Sequence, residues 1–105
     1  MGIKQIQKPL NQFIANIPSS LKVDKVFVFG SYSKGRATKD SDIDVVVVSE
    51  DFEKIDPFDR IKILDTAAGD IKPEVQAWGF TNQELESFDE LTTAGQARTS
   101  GIRFV

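Results

Sequence analysis

Asp42 and Asp44 stand two residues apart at the head of an apolar run, Val45-Val46-Val47-Val48. A strand alternates its side chains with period two, so both carboxylates face the same side. Two acids side by side repel each other, and burying them is costly unless something positive lies between them. A divalent cation meets that need, and hard oxygen ligands suit Mg²⁺ or Mn²⁺. Ten residues, 32 to 41, separate this pair from Gly30-Ser31, which closes a second apolar run, Val26-Phe27-Val28-Phe29. A Gly-Ser turn leading into a helix offers small side chains, free backbone N–H groups and a favourable dipole end for a phosphate. Metal and phosphate together point to nucleotide chemistry.

The stretch Gly30-Ser31-Tyr32-Ser33-Lys34-Gly35-Arg36-Ala37-Thr38-Lys39-Asp40-Ser41-Asp42-Ile43-Asp44 resembles the signature of the DNA polymerase beta-like nucleotidyltransferase superfamily. In particular it is similar to the small minimal nucleotidyltransferases, often called MntA-like antitoxins. Residues 24 to 48 carry the core of the likeness, and the order of elements extends it over nearly the whole chain. The resemblance implies an α/β (α+β) palm-like fold, with Mg²⁺ (or Mn²⁺) held by Asp42 and Asp44. It makes Glu74 the candidate third carboxylate, where the family usually has Asp; Asp70 is the fallback. It makes Gly30 and Ser31 the phosphate cradle, with Ser33 and Lys34 beside it. Arg36 stands where the family more often carries a small or acidic residue. The implied reaction moves a nucleoside monophosphate, AMP from ATP, onto a hydroxyl and releases pyrophosphate.

The elements that must position these groups fit one domain, residues 1–105. The pattern predicts a helix over 9–17, with Leu10, Phe13, Ile14 and Ile17 on one face and Pro9 in its first turn. Strands are expected over 25–29 and 43–48, the second β-branched and apolar on both faces as an internal strand requires. A short helix is expected over 31–36 and a polar loop over 38–41. Asp56-Pro57 starts a helix whose inner face is read as Phe58, Ile61, Leu64 and Ala68, with Gly69 as its stop. A third strand covers 74–78, placing Glu74 and Gln76 on one face. Thr81-x-x-Glu84 has the form of a capping box, opening a helix to about residue 90. A last helix over 93–99 and a strand over 101–105 complete a small mixed sheet covered by helices. Trp78 and Phe80 are read as core, with adenine stacking as the other role. Tyr32 is read as packing beside the loop, with self-modification as the other role.

Bulk properties narrow the chemistry. The sequence has no Cys and no His, which removes thiol nucleophiles, Cys/His zinc sites and histidine acid–base catalysis. A formal charge of -3 and a pI near 4.9 disfavour a non-specific grip on nucleic acid. No segment approaches the roughly 18 apolar residues of a membrane span. The N-terminus lacks a signal-type apolar core, and Ile6 stands where myristoylation needs Ser or Thr. A cytoplasmic protein is expected.

Larger members of the resembled superfamily append helical domains that hold the acceptor, and little follows the core here. The resemblance therefore implies an acceptor that is itself a protein, or a partner that completes the site: a small helical HEPN (RNase-type) toxin in a hetero-oligomer. The chain would be its antitoxin, adding AMP to a toxin tyrosine or binding the toxin. An acidic surface suits a basic partner. One alternative is a catalytically weak module that neutralises by contact alone. Another is a small-molecule, aminoglycoside-type transferase.

Overall fold

In the computed structural model, which describes residues 3–38, 40–87 and 101–105, the chain builds a four-stranded mixed sheet. Lys25–Phe29 (β1) and Ile43–Val48 (β2) pair antiparallel, with Phe29 opposite Asp44. Val75–Phe80 (β3) runs parallel to β2, with Gln76 beside Asp44. Ile102–Arg103 (β4) pairs antiparallel with the outer edge of β1, giving the order β3-β2-β1-β4. Parallel neighbours need a crossover. Here it is supplied by the helix Pro57–Ala68 (α2) between β2 and β3.

β2 is central, and Ile43 and Val45 to Val48 are fully buried. That is why its sequence is apolar without alternation. Its two faces serve two cores. On one, Val45 and Val47 pack with Val26, Val28, Phe13 and Leu64, under α2 and the helix Gln7–Asn16 (α1). A 3-10 turn, Ile3–Ile6, precedes α1. Of the expected face, Leu10, Phe13 and Ile17 are buried and Ile14 is partly buried, and Ile6 extends the buried stripe at helical spacing. On the other face Val46 and Val48 pack with Phe29 and Leu85, flanked by Phe27, Trp78 and Phe80. Trp78 and Phe80 thus serve as core. Trp78 lies tilted against Phe29, with ring centroids 5.6 Å apart.

α2 begins as expected. The Asp56 carboxylate accepts from Phe58 N–H at 2.9 Å, Pro57 takes the first position and Gly69 ends the helix at φ +48. Its inner face differs from the expectation. Phe58 is 76% exposed and Ile61 40%, whereas Arg60, Leu64, Ala67 and Ala68 are buried. Those four recur at helical spacing, so the stripe is regular. A charged residue heads it, which rotates the apolar pattern away from Phe58.

Arg60 is buried because its donors are used. Its guanidinium donates to the carbonyls of Ile55 (2.9 Å), Phe52 (2.5 Å) and Gly79 (3.3 Å), and to Glu84 Oε1 at 2.7 Å. It also lies over the Phe52 ring, 5.5 Å from the centroid. Gly79 permits this packing, since a Cβ there would sit 2.7 Å from Phe52. Glu84 also closes the predicted capping box of the helix Asn82–Ser87 (α3): it accepts from Thr81 N–H at 2.8 Å, and the Thr81 hydroxyl accepts from Glu84 N–H at 3.1 Å. The expected continuation to residue 90 and the helix over 93–99 lie outside the described residues.

Arg60→Ala should lower unfolding free energy by about 2–4 kcal/mol, because it strips three carbonyls and one carboxylate of their donor; urea denaturation measures it. Partial burial pushes the Glu84 carboxyl up, but its bonds to Arg60 and Thr81 outweigh this and hold it below the usual glutamate value. A depressed carboxyl contributes stability above its unfolded pKa, lost as pH falls through the folded value. Glu84→Gln should therefore flatten the stability profile below about pH 4.5 relative to wild type.

Candidate functional site

β1 and β2 bring the two halves of the motif together. β1 ends at Phe29, and Gly30 turns the chain at φ +71. The register sets Phe29, Asp44 and Gln76 side by side across three strands. One pleat further along lie Val46 and Trp78 of the second core, so Asp44 projects on the α3 side. Asp42 immediately precedes β2 and is exposed, whereas Asp44 is half-buried. Residues 38 to 41 hold the approach: Thr38 N–H donates to Ser41 Oγ at 2.9 Å, and Ser41 N–H to Thr38 O at 3.1 Å.

The closest approach is between Gly30 and Asp44. A Cβ at Gly30 would lie 2.5 Å from Asp44 Oδ2. Only glycine combines this positive φ with room for a carboxylate against its Cα. Burial raises the Asp44 carboxyl above its usual value, and the Asp42 charge raises it further. The only ion pair among the described residues is Arg60–Glu84, so no described side chain neutralises the pair.

The predicted helix over 31–36 is absent. Residues 31 to 35 form consecutive turns, in which Ser33 and Lys34 N–H donate to Gly30 O (both 3.2 Å) and Arg36 N–H donates to Ser31 O (2.9 Å). Gly30 and Gly35, both at positive φ, interrupt helical geometry. The phosphate reading therefore rests on local donors and not on a helix dipole. The Ser31 N–H and hydroxyl have no hydrogen-bond partner among the described residues. Ser33 Oγ instead donates to Gly30 O at 2.9 Å, bracing the turn. Lys34 and Arg36 are exposed. Tyr32 is buried among the first core with its hydroxyl unpartnered, so it packs beside the turn and is not presented as an acceptor.

Glu74 is exposed just ahead of β3, and its carbonyl accepts from Ile43 N–H at 2.8 Å. It shares a cleft of about 420 Å³ with Asp40, Ser41, Asp42, Lys72 and Pro73. Asp70 lies in a separate cleft with Lys8 and Gly69. Among the described residues no three His, Cys, Asp or Glu side chains converge as a metal-holding group. Two residues in this region escaped the motif. Lys72 carries no sequence signal. Gln76 was marked only by the alternation of β3, which sets it on the Asp44 face.

The donor set fits a divalent cation. The Asp42 charge acts on the Asp44 carboxyl, both side chains are hard oxygen donors, and no described side chain forms an ion pair with either. Asp42 and Asp44 would hold the ion.

Gly30→Ala should cost more than about 1 kcal/mol in urea unfolding, through its φ and the Asp44 approach, and should weaken nucleotide binding measured by calorimetry. Asp44→Asn should act oppositely on stability. A carboxyl whose pKa is raised on folding opposes folding once ionised, above its unfolded value of 3.8. Without metal at pH 7, the neutral amide should raise Tm by a few degrees in calorimetric scans.

Comparison with known proteins agrees with this geometry. The family model described as "Nucleotidyltransferase domain" matches residues 10–94 of the 105. No curated protein matches the sequence. A crystal structure of a candidate nucleotidyltransferase from Sulfolobus solfataricus is similar at TM-score 0.71 and 20% identity, covering 96% of this chain and 80% of that one. A chain from the crystal structure of a toxin–antitoxin with AMP-PNP is similar at TM-score 0.60 and 27% identity, covering 91% and 68%. With its Gly30-Ser31 turn packed on Asp44 and its mixed sheet, the chain belongs to the nucleotidyltransferase domain family and is an enzyme of that class.

Proposed function

We propose that this chain is an antitoxin of the minimal nucleotidyltransferase type, moving AMP from ATP onto a hydroxyl of a partner protein with release of pyrophosphate. The observation that carries the reading is the Asp44 carboxylate set against Gly30, beside a Ser31 whose donors meet no partner among the described residues. That would juxtapose a cation site and a phosphate site where the end of β1 meets the start of β2. The similar toxin–antitoxin structure contains AMP-PNP, an ATP analogue, which supports both the donor and the protein partner. A small helical HEPN-type toxin is the partner we assign. ATP as donor places the reaction in the cytoplasm.

Each residue takes a role from its position. Asp42 and Asp44 hold the cation, Mg²⁺ or Mn²⁺, which when bound neutralises phosphate charge and favours in-line displacement. Gly30 lets the backbone approach the triphosphate, and Ser31 donates its N–H and hydroxyl to a phosphate oxygen. Ser33 keeps the turn closed through Gly30 O. Lys34, exposed beside the turn, offers positive charge to the leaving pyrophosphate. Glu74 stands at the rim of the cleft it shares with Asp42, as an outer carboxylate. The acceptor hydroxyl would arrive on the α3 side of the sheet, where Asp44 projects.

A second reading, neutralisation by contact alone, is favoured by one observation: no third acidic side chain joins the pair among the described residues.

Incubation of the protein with Mg²⁺, α-labelled ATP and extract of its source cells decides between them. Transfer predicts a labelled protein band, reduced at least about 100-fold by Asp42→Asn/Asp44→Asn. A partner that co-purifies equally with both forms and never takes label would replace transfer with contact.

A further inference from the structure

The parallel register of β2 and β3 puts Gln76, not an acid, directly beside Asp44. Neighbouring residues in a parallel pair lie about 4.8 Å apart and project to the same side. Gln76 is half-buried, as Asp44 is, and its amide has no hydrogen-bond partner among the described residues. Phe29 bounds the row on one side, and Trp78, packed on Phe29, sits one pleat further along β3. The row therefore reads apolar ring, carboxylate, amide. Glu74 is two residues earlier than Gln76 and exposed, on the rim beside Asp42. No group of three acids forms among the described residues.

On the reading of Asp42 and Asp44 as the cation-holding pair, we infer that Gln76 is the third member of this site and limits it to a single divalent cation. A glutamine amide gives the row a neutral oxygen and an N–H donor, and no charge. Two carboxylates balance one divalent ion. With the phosphates of the nucleotide already shared with the first ion, a second ion close by needs a further anionic protein ligand to offset the repulsion between cations. An Asp or Glu at position 76 would supply it in the same row. Gln76 is thus a positioning residue that sets the charge of the site.

The test counts Mn²⁺ per protein–nucleotide complex by electron paramagnetic resonance, titrating the full chain with Mn²⁺ in the presence of AMP-PNP. Wild type should hold one Mn²⁺ per bound analogue. Gln76→Glu, with Gln76→Asp as the shorter variant, should hold two, a doubling of stoichiometry. Glu74→Ala should leave the wild-type count at one. Two ions on the wild-type chain would overturn the inference, and a fall to one in Glu74→Ala would then name Glu74 as the third ligand. A count of one in folded Gln76→Glu and Gln76→Asp would also overturn it. A wild-type chain that takes up no analogue would remove the nucleotide reading beneath it, an outcome distinct from the wrong count. Should neither acidic variant fold, a wild-type count of two still overturns the inference.

Discussion

The contact between the Gly30 backbone and the Asp44 carboxylate organises this molecule. It joins the end of β1 to the start of β2, two strands already paired antiparallel with Phe29 opposite Asp44. Any side chain at Gly30 would occupy the volume the carboxylate uses. The site is therefore a packing solution as much as a chemical one. A half-buried acid beside another acid is destabilising by itself. It persists because β2 is buried on both faces between two cores that are stable enough to carry it.

That supporting frame depends on Arg60. A charged residue in the core is tolerable only when its donors are satisfied, and Arg60 meets this by bonding Phe52, Ile55, Gly79 and Glu84. These partners come from the turn after β2, the start of α2, β3 and α3. One guanidinium thus ties the crossover helix to both ends of the connection that makes β3 parallel to β2. The same parallel register aligns Gln76 with Asp44. Stability and site geometry share the β2–α2–β3 unit.

Much of this was legible in the residues. The apolar runs 25–29 and 43–48 became strands because β-branched and aromatic residues without polar alternation suit an internal strand. Asp56-Pro57 and Thr81-x-x-Glu84 capped helices through their own side chains, an interaction local enough to read from spacing. Residues 31–36 misled, because Ser, Lys and Arg are compatible with a helix, whereas the two positive-φ glycines and the carbonyl of Gly30 close turns instead. Phe58 and Ile61 misled because apolar type was taken for burial, while the face of α2 was decided by where Arg60 found its partners.

The sequence by itself determined the two carboxylates, their spacing, the glycine that precedes them and the family they mark. All of these follow from local spacing and from the period of a strand. Tertiary structure alone decided which residue stands third in the row. The strand expected over 74–78 put Glu74 and Gln76 on one face, and spacing along a strand does not say which of them meets Asp44; the observed β3 begins at Val75 and leaves Glu74 outside it. Register between strands is set by the packing of α2 and the two cores, which involve residues far apart in the chain. That packing placed an amide beside the carboxylate and left the acid at the rim of the cleft.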